Sequence, residues 1–78
     1  MFYVYILLCN DNTHYTGCTQ DLKERFERHS KGYIDSTKEK PPVKLVYYCA
    51  LTDKYKAFAF EKYLKSGSGI AFRNKHLI

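Results

Sequence analysis

The chain has 78 residues, with 13 Lys and Arg against 8 Asp and Glu and a formal net charge of +5. Its 45% hydrophobic and 27% charged content excludes whole-chain disorder, and its length allows one small domain over residues 1–78, with only about 60–65% of the unfolded surface buried. The basic balance favours a polyanionic partner such as nucleic acid, with plain solubility as the ordinary alternative.

Residues 2–9 (FYVYILLC) are aromatic and β-branched, the composition of a buried strand. The run is too short to cross a bilayer and has no basic region with a cleavage site, so the chain is expected to be soluble and cytoplasmic, away from membranes. Cys9 to Thr13 carries turn chemistry, because Asn and Asp tolerate left-handed backbone and bond to their own main chain. His14 to Cys18 then reads as the return strand of a hairpin. Thr19 is the expected cap of a following helix, with Asp21 in its first turn, Leu22 and Phe26 toward the core, and Gly32 as the stop.

Residues 33–42 are a polar connector ending in Pro41-Pro42, which cannot continue a helix. Val43 to Leu51 is a third strand. Thr52 or Asp53 caps a second helix with Ala57, Phe60 and Leu64 on its buried stripe. Ser66 to Gly69 breaks that helix, and Ile70 to Ile78 forms a short last one. The order β-β-α-β-α-α predicts an α/β domain. Cys9, Cys18 and Cys49 are odd in number, show no CxxC spacing and sit in or beside apolar runs. They read as small buried hydrophobes of a reducing compartment, not as a disulfide frame or a zinc site.

Three places could carry chemistry. In the hairpin, Tyr5 and Tyr15 share a sheet face only if paired residue numbers sum to an even value, as a three- or five-residue loop gives. A two-residue Asp11-Asn12 loop puts them on opposite faces. A sum of 22 sets Gly17 across from Tyr5, and a glycine there implies a close approach. Strands commonly carry tyrosine for packing alone. In the first helix, Arg25 and His29 are neighbours at i,i+4, at the boundary between core and solvent. Arg25 could grip a phosphate, although KERFERH also reads as a solvated face with Glu24 and Glu27 as ion-pair partners. In the second helix, Glu61 lies among apolar neighbours and suits Mg²⁺, which is often held by one or two carboxylates with water and phosphate. A surface pair with Lys65 is the ordinary alternative. Lys31, Lys38, Lys40 and Lys44 offer contacts to a nucleic-acid backbone.

Taken in order, YVY (3–5), YTG (15–17), LKERFERH (22–29) and a helix bearing Glu61 resemble the GIY-YIG nuclease family, above all its small stand-alone bacterial members and the nuclease domain of the DNA-repair excinuclease. The resemblance implies a small central three-stranded antiparallel sheet flanked by helices. It implies a metal-dependent endonuclease acting on DNA, in repair or recombination, with Mg²⁺ or Mn²⁺ as cofactor. Tyr5, Tyr15, Arg25, His29 and Glu61 match the family's catalytic positions, Glu61 as the metal ligand, and Asn74 stands for a late asparagine. Tyr3-Val4-Tyr5 departs from Gly-Ile-Tyr, and Cys18 stands where some relatives place a lysine. Either tyrosine can be the base on this reading. With Gly17, Lys31, Lys38, Lys40 and Asn74 as nucleic-acid contacts, so small a domain has little surface for reading sequence, so substrate choice is expected to be weak or structure-dependent, or a protein partner to supply targeting. The competing class is a non-catalytic nucleic-acid-binding module on the same scaffold.

Overall fold

The computed structural model describes residues 1–35 and 37–78; Ser36, in the connector, lies outside them. Three strands form one antiparallel sheet: β1 (Phe2–Leu8), β2 (His14–Thr19) and β3 (Lys44–Leu51), with β1 in the centre. Three helices complete the chain, α1 (Leu22–Ser30), α2 (Lys54–Leu64) and α3 (Gly67–His76). This is the predicted α/β order with the predicted small sheet.

The strand with the most continuous apolar character is the one in the middle. Val4, Tyr5, Ile6 and Leu7 are all fully buried, as expected where both faces of a strand are covered. Val4 and Ile6 point to one face and pack with Ala57 and Leu64 of α2. Tyr5, between them in sequence, points to the other face. The β1–β3 ladder slips between Ile6 and Leu7, so Ile6 pairs Tyr47 while Leu7 pairs Leu45. Val46 is the extra residue, and this bulge lets both Val46 and Tyr47 join the cluster against α2.

The hairpin takes the five-residue connection, with Leu8 opposite His14 and hence Tyr5 opposite Gly17. Asn12 supplies the left-handed residue of the turn at φ 67. The Asp11 carboxylate accepts from the Thr13 amide at 3.0 Å, and Lys40 pairs with Asp11 at 3.4 Å. Asn10 also donates to the Pro41 carbonyl at 2.6 Å, so the connector is tied to the hairpin tip.

Two helix starts differ from expectation. Asp21, not Thr19, caps α1, accepting from the Glu24 amide at 3.0 Å; Thr19 ends β2, and its hydroxyl accepts from the Asp21 amide. A carboxylate one residue before the helix reaches the third amide, which a residue still in the ladder cannot. At the far end Gly32, at φ +76, gives the expected stop: its amide bonds to the His29 carbonyl and that of Tyr33 to Arg28.

The stretch Ser66 to Gly69 does not lie outside the last helix but begins it. Ser66 caps α3 by accepting from Gly69, so the glycines occupy the first turn. A side chain at Gly69 would run into the Tyr63 carbonyl, whereas nothing lies within 4 Å of the corresponding point at Gly67. Asp53 is the cap of α2, resolving the Thr52/Asp53 alternative. Gly69→Ala should lower the unfolding free energy by about 2 kcal/mol through overpacking, while Gly67→Ala should raise it by about 0.5 kcal/mol through lower unfolded-state entropy. Urea titration of the two variants checks the contrast.

Candidate active site

The even hairpin register gives Tyr3, Tyr5, Tyr15 and Gly17 one common face. The Tyr5 ring lies across the β2 backbone at Gly17, where a Cβ would come within 2.5 Å of its Cζ. The close approach that a glycine implied is therefore made by Tyr5 itself. Gly17 is buried, so the expected nucleic-acid contact at this position is replaced by packing.

Helix α1 lies over this face. Helical spacing puts Arg25 and His29 at the core boundary, but His29 is wholly buried and is the most enclosed residue of the helix. Its Nε2 lies 3.0 Å from the Tyr5 hydroxyl and its Nδ1 2.6 Å from the Thr37 hydroxyl. A neutral imidazole has one donor and one acceptor, so the two bonds run in the same sense along Thr37–His29–Tyr5. Tyr5 and Thr37 are also fully buried. The Tyr15 ring packs 4.8 Å from that of His29 and 6.2 Å from that of Tyr5, centroid to centroid, and is partly exposed.

Burial shapes the electrostatics of this chain of groups. It raises the Tyr5 phenol well above its usual value, with Tyr15 adding to the shift and the Arg25 guanidinium opposing it. Burial, followed by the nearby Arg25 and Arg28, pushes the His29 imidazole down to about 4. At neutral pH the resting cluster thus holds a neutral phenol against a neutral imidazole.

Arg25 is the unsatisfied member. Glu24 takes Arg28 at 3.7 Å, four residues on, and among the described residues no ion pair includes Arg25. Its Nε is buried without a hydrogen-bond partner. A guanidinium nitrogen left in this way is a ready donor for an incoming anion.

Glu61 reaches the cluster from α2, across the sheet edge. Its side chain is 23% exposed and accepts from Lys65 at 2.9 Å, as the surface-pair alternative predicted. Yet the same carboxylate acts electrostatically on Tyr5 and on Cys18, and Arg25 acts on both with the opposite sign. Burial raises the Cys18 thiol, and Glu61 raises it further. Arg25 and Glu61 therefore act with opposite sign on the same two groups, Tyr5 and Cys18.

The remaining candidates lie apart from this cluster. Lys31 caps the C-terminus of α1 and is exposed, as are Lys38 and Lys44. Lys40 is engaged with Asp11 and Thr13 at the hairpin tip. Asn74 is exposed on α3, and its Oδ1 accepts from Arg73 at 3.0 and 3.1 Å. Sequence reasoning missed Thr37, whose irregular connector carries no periodicity to mark it. Cys18 was read as a small buried hydrophobe and as a departure after YTG, without a place in the cluster.

The family model of the GIY-YIG catalytic domain matches residues 1–73. The chain belongs to the GIY-YIG family. Curated relatives are small: it is 39% identical to a UPF0213 protein of Pediococcus pentosaceus, covering 96% of this chain and 83% of that one. It is 42% identical to a UPF0213 protein of Clostridium perfringens over 83% of this chain and 71% of the relative. The solution NMR structure of a UPF0213 protein from Bacillus halodurans matches with a TM-score of 0.61 at 33% identity, covering 96% of this chain and 84% of that one. In the described residues no helix is long and apolar enough to cross a membrane.

The buried imidazole of this GIY-YIG domain makes its stability acid-sensitive. The unfolded chain protonates His29 near its usual 6.5, the folded chain only near 4. Stability is therefore complete above that window and falls as pH drops through it, by up to about 3 kcal/mol. Urea unfolding from pH 7 to 4.5 should show this loss, and His29→Gln, less stable at neutral pH, should lose less across the same range.

Proposed function

We propose that this chain is a divalent-cation-dependent endonuclease that hydrolyses phosphodiester bonds in DNA. Its membership of the GIY-YIG family supports the reaction class. The observation that carries the reading is Arg25, whose buried Nε has no partner, set on α1 one turn before His29, the imidazole bonded to Tyr5.

Glu61 is the residue that would hold Mg²⁺ or Mn²⁺. The described residues contain no cluster of three or more His, Cys, Asp or Glu side chains that could enclose a metal. One half-buried carboxylate nevertheless suits Mg²⁺, which keeps several waters and takes substrate phosphate oxygens. When bound, the cation supplies Lewis-acid polarisation of the phosphoryl group and neutralises developing charge. Lys65, now paired with Glu61, must yield that carboxylate.

Arg25 donates to the phosphate oxygens as their negative charge grows. Tyr15, partly exposed, contacts the attacking water. Tyr5, bonded to His29 Nε2, gives a departing proton a route to the neutral imidazole, and Thr37 holds the other ring nitrogen. The exposed cations Lys31 and Lys38 add sequence-independent backbone contacts, weakened by salt. So small a domain has little surface for reading sequence, so selection of target by a separate protein partner fits this reading, as does work in repair or recombination.

One observation favours the second reading, a binding module without catalysis: the Lys65–Glu61 pair satisfies the carboxylate without a metal. The variants Arg25→Ala and Glu61→Gln separate the two. Each should lower cleavage of labelled DNA with Mg²⁺ or Mn²⁺ by at least about 100-fold while remaining folded. EDTA should abolish wild-type cutting, and Glu61→Gln should keep its affinity for DNA. Tyr5→Phe should cost about 100-fold or more if the proton leaves through that hydroxyl. A folded Glu61→Gln protein with wild-type cleavage would overturn the assignment.

A further inference from the structure

An open groove of about 390 Å³ runs beside the β2 edge, between the starts of α1 and α2. Phe2, Cys18, Asp21, Arg25, Lys54 and Phe58 are among its lining residues. Its position is tied to the site already described, because Arg25 and Cys18 belong to both. Lys54, Phe58 and Glu61 recur at i, i+4 and i+7, so they form one stripe along α2 that runs from the groove to the carboxylate. From Lys54 to Glu61 the helix rises by about 10 Å.

The chemistry of the lining is that of a nucleotide, apolar and cationic side by side. Phe58 is 45% exposed, and the Lys54 ammonium lies 5.8 Å from its ring centroid. Arg25 contributes a guanidinium whose buried Nε has no partner. The Asp21 carboxylate, the one acidic group among these residues, is already committed to capping the Glu24 amide. An aromatic face beside two cations accepts a base and its phosphate, and does so for any base, since every base has a π-face. A base in a duplex is already stacked on its neighbours and cannot lie flat on a protein ring.

We propose that this groove holds an unpaired nucleotide next to the cut phosphate, with its base on Phe58 and its own phosphate on Lys54. The domain thereby selects single-stranded, frayed or branched nucleic acid over continuous duplex. Adjacency to a cut phosphate rests on the nuclease reading, whereas nucleotide binding in the groove does not.

The chain contains no Trp, so Phe58→Trp introduces a sole indole at the proposed stacking position. In EDTA, an oligodeoxythymidine strand should quench that indole and bind at least about tenfold tighter than a closed hairpin duplex of equal length. In a wild-type background, Phe58→Ala and Phe58→Leu should each weaken single-strand binding by about tenfold and leave duplex affinity unchanged. Lys54→Gln should reduce the slope of log K against log salt for the single strand by about 0.7. Equal affinity for strand and duplex, or single-strand binding indifferent to all Phe58 variants, would overturn the proposal. These readouts need no cleavage: loss of the nuclease assignment through an active Glu61→Gln protein would leave them untouched, and loss of the groove would leave metal-dependent cutting in place.

Discussion

One ring laid across one glycine organises the molecule. Because Gly17 has no Cβ, Tyr5 can lie flat on the neighbouring strand, and its hydroxyl arrives beneath α1 beside His29. Any residue with a side chain at position 17 would push that hydroxyl away. The same contact depends on the register with Leu8 opposite His14, since a slip of one residue would send Tyr5 and Gly17 to opposite faces. Hairpin geometry, helix docking and the candidate chemistry are thus a single constraint.

From that point the structure extends in two directions. Toward the interior, a buried polar chain runs from Tyr5 through His29 to Thr37 and fastens the connector to α1. Fully satisfied polar groups of this kind rigidify their surroundings, whereas removal of one member leaves a buried partner unpaired. On the other side lie Cys18, Glu61 with its Lys65 partner, and Arg25, whose Nε is unsatisfied. A domain of this size has a small core, centred on Val4, Ile6, Ala57 and Leu64. In so small a domain, burying an unpartnered guanidinium nitrogen is a stability cost that an anionic ligand would relieve.

Helix α2 serves both sides of this arrangement. Ala57 and Leu64 close the core against β1, while Lys54, Phe58 and Glu61 follow another stripe. The Lys65–Glu61 pair stands at the end of that stripe and gives the carboxylate a partner in the free protein. Exposed ion pairs of this kind are weak, so a cation with phosphate ligands can displace the ammonium at small cost.

The strands, helices and their order were legible in the residues alone, because each has a local cause: the apolar run of β1, the Asn-rich turn, Gly32 after α1, and Asp53 before α2. The ordered set of Tyr5, Tyr15, Arg25, His29 and Glu61 was equally legible as a resemblance. What local pattern left open was decided by tertiary contact. The hairpin sum of 22 was one of several allowed values until Tyr5 had to fit over Gly17. His29 read as a boundary residue because helical periodicity compares it only with its own helix; burial came from the sheet beneath it. Thr37 sits in a segment with no period, and only the fold brings its hydroxyl to an imidazole eight residues away. Composition and spacing determine which groups a chain carries and which element bears them; which of them meet, and which are shut off from water, is set by packing between elements distant in sequence.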